Sequence, residues 1–213
     1  MMRIGVKICG ITNRKDAKMA IDAGADALGF NFYAKSPRRI AASHAKEIIR
    51  HMPSRVAAVG VFVNASAKEI VLIARAANLG ALQLHGEESP ATVERLAREY
   101  PVIKAFRVGP RFQASELKKY PGAAGFLLDG YDAEHRGGTG KRFGWSVARE
   151  AKQYGSVILA GGLRANNVCE AIRQAKPFAI DVCSGVETRP GKKDVKKVKQ
   201  LMARVKQARR GDA

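Results

Sequence analysis

From Arg3 to Ala208 short β-rich apolar runs alternate with amphipathic stretches, eight of each, and the runs start about two dozen residues apart. Few folds accept that rhythm. Strand patterns fall at Arg3–Cys9, Ala27–Phe32, Ala57–Val63, Ala81–Leu84, Val102–Arg107, Gly125–Asp129, Ser156–Ala160 and Phe178–Val182. Helical patterns fall at Lys15–Asp22, Ala41–His51, Ala67–Ala77, Pro90–Glu99, Ala114–Lys119, Ser146–Gln153, Asn166–Gln174 and Asp194–Ala208. Thr12-Asn13, Ser43 and Ser66 stand where the first three helices begin, as side chains able to accept from orphan backbone N–H groups. Strictly alternating strands and helices, with apolar β-branched strands, predict a parallel sheet covered by helices. Eight units predict closure into a (β/α)8 barrel. The alternative, an open doubly wound sheet, usually carries GxGxxG after its first strand. Here that turn reads CGIT, which favours the barrel.

The chain has 213 residues, 46% of them hydrophobic, enough for one sizeable core. No Pro/Ser linker or composition shift divides it, so residues 1–213 are expected to form one domain. No apolar run approaches the ~20 residues that span a bilayer. The segment MMRIGVKICG has neither the apolar core nor the cleavage site of a secretory signal. Cys9, Cys169 and Cys183 lack metal-ligand spacing and are too few for a disulfide framework, which points to a reducing cytoplasm.

The net charge is +19, which attracts anions: nucleic acid, acidic membrane surfaces or phosphorylated metabolites. Between Arg189 and Arg210 stand ten basic residues, Lys193 among them, against the single acid Asp194. Val195, Val198, Leu201, Met202 and Val205 recur there at helical spacing, so the segment reads as an amphipathic helix with a solvated basic face. Neither an RNA-binding motif nor interleaved surface aromatics accompany it, so nucleic acid is not the expected partner.

In a (β/α)8 barrel, chemistry sits at the C-terminal ends of the strands. Cys9-Gly10, Asn31, Asn64, His85-Gly86, Asp129-Gly130, Gly161-Gly162 and Ser184-Gly185 follow the strand patterns and share that rim. Side chains alternate along a strand, so Lys7 and Cys9 face the barrel interior if Val6 and Ile8 pack on helices. A thiol at the mouth, near a cation and a helix N-terminus, is a candidate base or nucleophile. Asp129 ends the apolar run FLLD; loss of solvation there favours the protonated form that a general acid needs. His85 reads as a hydrogen-bonded rim histidine placed for substrate contact, with no second ligand at metal-like spacing. Arg38, after the second strand, suits an anionic group such as a carboxylate. RGGTGK (136–141), AGGL (160–163) and SGVETRPGKKD (184–194) are glycine-rich, and the turns after the last two barrel strands often bind phosphate. The candidate phosphate contacts are Gly138, Gly161, Gly162, Ser184 and Gly185. RGGTGK lacks the Walker A spacing.

Taken together, VKICGIT (6–12), GADALGFNFYAKSPRRI (24–40), VGVFVN (59–64), LQLHGEE (82–88), LLD (127–129), GGTGKRFGW (137–145), LAGGL (159–163) and DVCSGVETRPGKKD (181–194) resemble the phosphoribosylanthranilate isomerase family, in colinear order over nearly the whole chain. The resemblance implies a (β/α)8 barrel performing an Amadori rearrangement of N-(5′-phosphoribosyl)anthranilate in tryptophan biosynthesis, without cofactor or metal. It implies Cys9 as general base, Asp129 as general acid, Arg38 on the anthranilate carboxylate, and the last two glycine-rich turns on the phosphate. The expected partner is a phosphorylated small molecule, with no membrane, in a monomer or homodimer; Phe32 and Tyr33 suit either a substrate-facing or an interfacial place. Three positions depart from the family pattern. Arg142 and Gly144 replace the Thr and Asp of its GKTFDW segment, and Cys183 replaces the first Ser of DVSSGVE. The related histidine-pathway isomerase group has Asp at the end of its first strand, so Cys9 argues against that reading.

Overall fold

The computed structural model describes residues 4–130 and 145–210. Eight strands close into one barrel: β1 (Gly5–Cys9), β2 (Ala27–Asn31), β3 (Ala57–Phe62), β4 (Ala81–Leu84), β5 (Val102–Val108), β6 (Gly125–Gly130), β7 (Val157–Ala160) and β8 (Ala179–Val182). Every neighbour is parallel, and β1 pairs with β8 to complete the ring. Helices α1 (Arg14–Asp22), α2 (Ala42–Ile49), α3 (Ala67–Ala77), α4 (Pro90–Ala97), α5 (Trp145–Ala151), α6 (Val168–Ala175) and α7 (Val195–Arg210) fill the intervals.

The register shows which residues face inward. In parallel pairs the side chains of register partners point to the same side. Lys7 stands level with Ala27 and Asp181, Cys9 with Gly29, Val61 with Gln83, and Asp129 with Ala160. A small inner cluster of Ala105, Leu127, Ile158, Ala160 and Ala179 packs the barrel, while Ile8, Leu28, Phe30, Leu82 and Leu84 belong to the larger layer between sheet and helices. Burying that outer layer, at ~25 cal/mol per Å², holds the helices on.

Local signals explain the helix starts, with one exception. Asn13 and Ser66 accept from the backbone N–H groups of Asp16 and Glu69, and Ser89 does the same for Thr92 ahead of Pro90. Ser43 does not cap α2: the N-cap is Ala41, without a side-chain hydrogen bond, and Ser43 lies exposed in the first turn.

Three further expectations are corrected. The fifth connection, Ala114–Lys119, is a 3-10 helix rather than an α-helix. It is bounded by Pro110 and Pro121, and a residue before proline is pushed out of the α region; Tyr120 accordingly leaves it at φ −122°, ψ 59°. The segment after β8 contains an antiparallel hairpin, β9 (Glu187–Arg189) and β10 (Lys192–Lys193), turned at Gly191 with φ +78°. It carries Lys193 away from the solvated face into a site only 4% exposed. On α7, Val198, Leu201 and Val205 are buried as the spacing requires, whereas Val195 is 44% exposed. Lys196, Lys199, Arg204 and Lys206 form the expected exposed basic face. Phe32 stacks on Phe62, centroids 5.3 Å apart, and packs against the core. Among the described residues, no helix is long and apolar enough to cross a membrane.

Candidate active site

The C-terminal rim opens on a cavity of about 280 Å³. Cys9, Arg38, His85, Asp129, Gly161, Gly162, Ser184 and Gly185 all line it, so the structure brings together every described residue expected there. Gly138, Arg142 and Gly144 lie outside the described residues.

Cys9 ends β1 and is 8% exposed. Beneath it, Lys7 is buried and donates to Asp181 Oδ1 at 2.9 Å. Asp181 comes from β8, register partner of Lys7, so closure of the ring creates the ion pair. Burial pulls the Lys7 ammonium down, but Asp181 and Cys9 together outweigh it and hold Lys7 charged. Gly29 leaves the necessary room. A Cβ there would sit 2.7 Å from the Cys9 sulfur and 2.9 Å from Lys7 Nζ. Cys183, one residue past β8, lines the same cavity, and its thiol donates to Glu187 Oε1 at 3.9 Å. The neighbouring Cys183 and the Lys7 charge outweigh burial and lower the Cys9 thiol to about 6. The proximity of Cys9, with burial, pushes the Cys183 thiol up.

Across the cavity, His85 Nε2 lies 3.3 Å from Asp129 Oδ2, and the Gln83 amide nitrogen lies 2.9 Å from His85 Nδ1. With Gln83 donating to Nδ1, a neutral His85 carries its proton on Nε2, facing the carboxylate. The Asp129 side chain is 36% exposed. The burial expected from its apolar strand is therefore only partial, and His85 is its neighbour across the cavity. Gln83 is 1% exposed, and its Oε1 has no hydrogen-bond partner among the described residues.

Arg38 reaches the rim through a bidentate clamp on Glu187: Nε at 3.0 and 3.1 Å, Nη2 at 2.6 Å. Glu187 also accepts from Lys193 Nζ at 2.8 Å and from the Gly191 amide at 3.1 Å. Burial pushes the Glu187 carboxyl up, but Arg38 and Lys193 outweigh it and hold it below its usual range. The clamp uses Nε and Nη2, leaving Nη1 for an anion in the cavity. The final hairpin thus fixes the Arg38 fork.

The two glycine turns interlock with their neighbours. Gly161 and Gly162 both adopt positive φ, +89° and +59°. A Cβ on Gly161 would collide with the backbone of Gly130 and lie 2.9 Å from Asp129 Oδ1, whereas one on Gly162 would meet nothing within 4 Å. A Cβ on Gly185 would collide with Leu163 O. Gly161 and Gly185 are thus required by the close approach of neighbouring backbone, while Gly162 faces open space.

Lys7 was readable from strand alternation, but Asp181, Gln83 and Glu187 were missed. The first two had a signal: a polar residue inside a four-residue apolar strand, on the inward side. Glu187 had none, since nothing local marks the hairpin that delivers it.

A closed eight-stranded barrel with a thiol and a carboxylate facing one rim cavity is the ground plan of a (β/α)8-barrel enzyme. The model of the N-(5′-phosphoribosyl)anthranilate (PRA) isomerase family matches residues 6–204. The N-(5′-phosphoribosyl)anthranilate isomerase of Trichlorobacter lovleyi is 48% identical over 206 residues, covering 96% of this chain and 99% of the relative. The crystal structure of the isomerase from Thermotoga maritima superposes with a TM-score of 0.85 at 40% identity, covering 95% of this chain and 98% of that one. A phosphoribosyl anthranilate isomerase solved in complex with reduced 1-(o-carboxyphenylamino)-1-deoxyribulose 5-phosphate superposes at 0.82 and 38% identity, with the same coverage. The chain belongs to the N-(5′-phosphoribosyl)anthranilate isomerase family, isomerases of tryptophan biosynthesis.

Proposed function

We propose that the protein catalyses the Amadori rearrangement of N-(5′-phosphoribosyl)anthranilate to 1-(2-carboxyphenylamino)-1-deoxyribulose 5-phosphate by general acid–base catalysis. The observation that carries the reading is a thiol lowered to about 6 in the same cavity as the Asp129 carboxyl. Asp129, protonated, donates to the ribose ring oxygen and opens the furanose to a Schiff base. Cys9, as thiolate, removes the C2′ proton, and the resulting enolamine tautomerises to the ketone. Each transfer is worth ~10²–10⁴-fold. His85 orients Asp129 and contacts the substrate. The free edge of Arg38 takes the anthranilate carboxylate. Gly161, Gly162, Ser184 and Gly185 take the phosphate, with Gly138 expected beside them. A phosphorylated product analogue in the related complex supports this choice of ligand. A cytoplasmic setting, where thiols stay reduced, suits a thiolate base.

The test follows the fluorescence of phosphoribosylanthranilate generated in situ. Wild type should consume it. Cys9→Ala and Asp129→Asn should each lower kcat by ~10²–10⁴-fold with KM little changed. Near wild-type rates in both variants would refute the assignment.

A further inference from the structure

β1 and β8 are hydrogen-bonded neighbours in parallel register, with Ile8 opposite Val182. Cys9 ends β1 and Cys183 follows β8 by one residue, so both stand at the C-terminal end of this seam. Adjacent strands lie about 4.8 Å apart, and a disulfide accepts Cα separations of roughly 4.4–6.8 Å. The Cys183 sulfur lies against the residue that follows Cys9: a Cβ on Gly10 would stand 3.0 Å from it. Both cysteines line the open cavity, so a small solute reaches them from solvent. Lys193 Nζ lies 3.9 Å from the Cys183 sulfur, and Lys7 lies beneath Cys9. Two cations therefore flank the pair, as reactive thiols require. The remaining thiol, Cys169, is hydrogen-bonded to Arg204 O away from the site.

From this juxtaposition we infer that Cys9 and Cys183 form a peroxide-oxidisable dithiol, a modification site that closes to a disulfide across the β1–β8 seam. The Cys9 thiolate attacks one oxygen of a hydroperoxide, forming the sulfenic acid and releasing water or an alcohol. Cys183 then attacks that sulfur; the S–O bond breaks, the S–S bond forms, and the hydroxyl leaves as water with the Cys183 proton. Two thiols lose two electrons, and the peroxide gains them. Closure by the neighbour competes with further oxidation of Cys9 to the irreversible acids, so the second thiol makes the damage recoverable. The bond stands on geometry alone. That it stops turnover rests on Cys9 being the base.

The experiment treats the full-length protein with hydrogen peroxide and reads thiols, mass and activity before and after dithiothreitol. Wild type should fall from three free thiols to one. It should lose the mass of two hydrogens, yield a linked Cys9–Cys183 peptide pair, and recover thiols and activity on reduction. Cys183→Ser, normalised to its own untreated rate, should lose activity that dithiothreitol does not restore, with oxygen added at Cys9. Oxygen addition without a linked pair in wild type overturns the proposal, as does unchanged dithiol under peroxide that oxidises Cys9 in Cys183→Ser. A linked pair with undiminished turnover would keep the modification site and refute Cys9 as base.

Discussion

Cys9 and Cys183 line one cavity, yet their surroundings lower the first thiol and raise the second. Cys9 has Lys7 beneath it; the cations near Cys183, Arg38 and Lys193, are already committed to Glu187. With Cys9 acting as thiolate base, as proposed, kcat/KM should fall about tenfold per pH unit below about pH 6 and level off above it, until other groups titrate. Cys183→Ala removes the largest influence lowering Cys9, so the acid limb should move to higher pH. A pH profile of kcat/KM for both proteins checks this; an unmoved limb would show that Lys7 alone sets the thiol. At this scale the sequence was informative where period-two alternation applies. Cys9 and Lys7 follow from VKIC, and His85 and Asp129 from their strand ends. It was silent on partners that meet only in three dimensions. Cys183 could be placed near the rim, but its place beside Cys9 follows from the β1–β8 pairing.

The elements themselves were more legible than their junctions. All eight strands and seven of the eight helical intervals follow from apolar spacing. The 3-10 helix at Ala114–Lys119 departs because two prolines shorten the room, and the β9–β10 hairpin because two or three residues per strand are too few to show a period. Capping gives a direct test. Ser66 satisfies an otherwise orphan N–H at the start of α3, and Ser43 satisfies none at α2. Ser66→Ala should cost ~1 kcal/mol, within the 0.5–2 kcal/mol range of such caps. Ser43→Ala, exposed and uncapping, should stay within ~0.5 kcal/mol. Urea unfolding midpoints at constant m would distinguish the two positions.

For the molecule as a whole, the surplus of nineteen positive charges acts at long range. A substrate carrying a phosphate and a carboxylate is drawn to such a surface, and salt screens the attraction over ~10 Å at 0.1 M. Raising ionic strength from ~0.01 to ~0.1 M should therefore lower kcat/KM while leaving kcat nearly constant. An equal fall in kcat would place the effect inside the cavity instead. The seam between β1 and β8 has a consequence of another kind. Lys7 and Asp181 lie 174 residues apart in sequence, and Cys9 meets Cys183 at the same junction. A growing chain holds Cys9 and Lys7 from the start but lacks Cys183, Asp181 and a closed rim until the eighth strand has been made. Contacts this distant are entropically costly to close. On the proposed assignment of Cys9, the rim cavity is complete only when the two ends of the barrel join, and the return of activity during refolding should report that joining, even if earlier strands have long been in place.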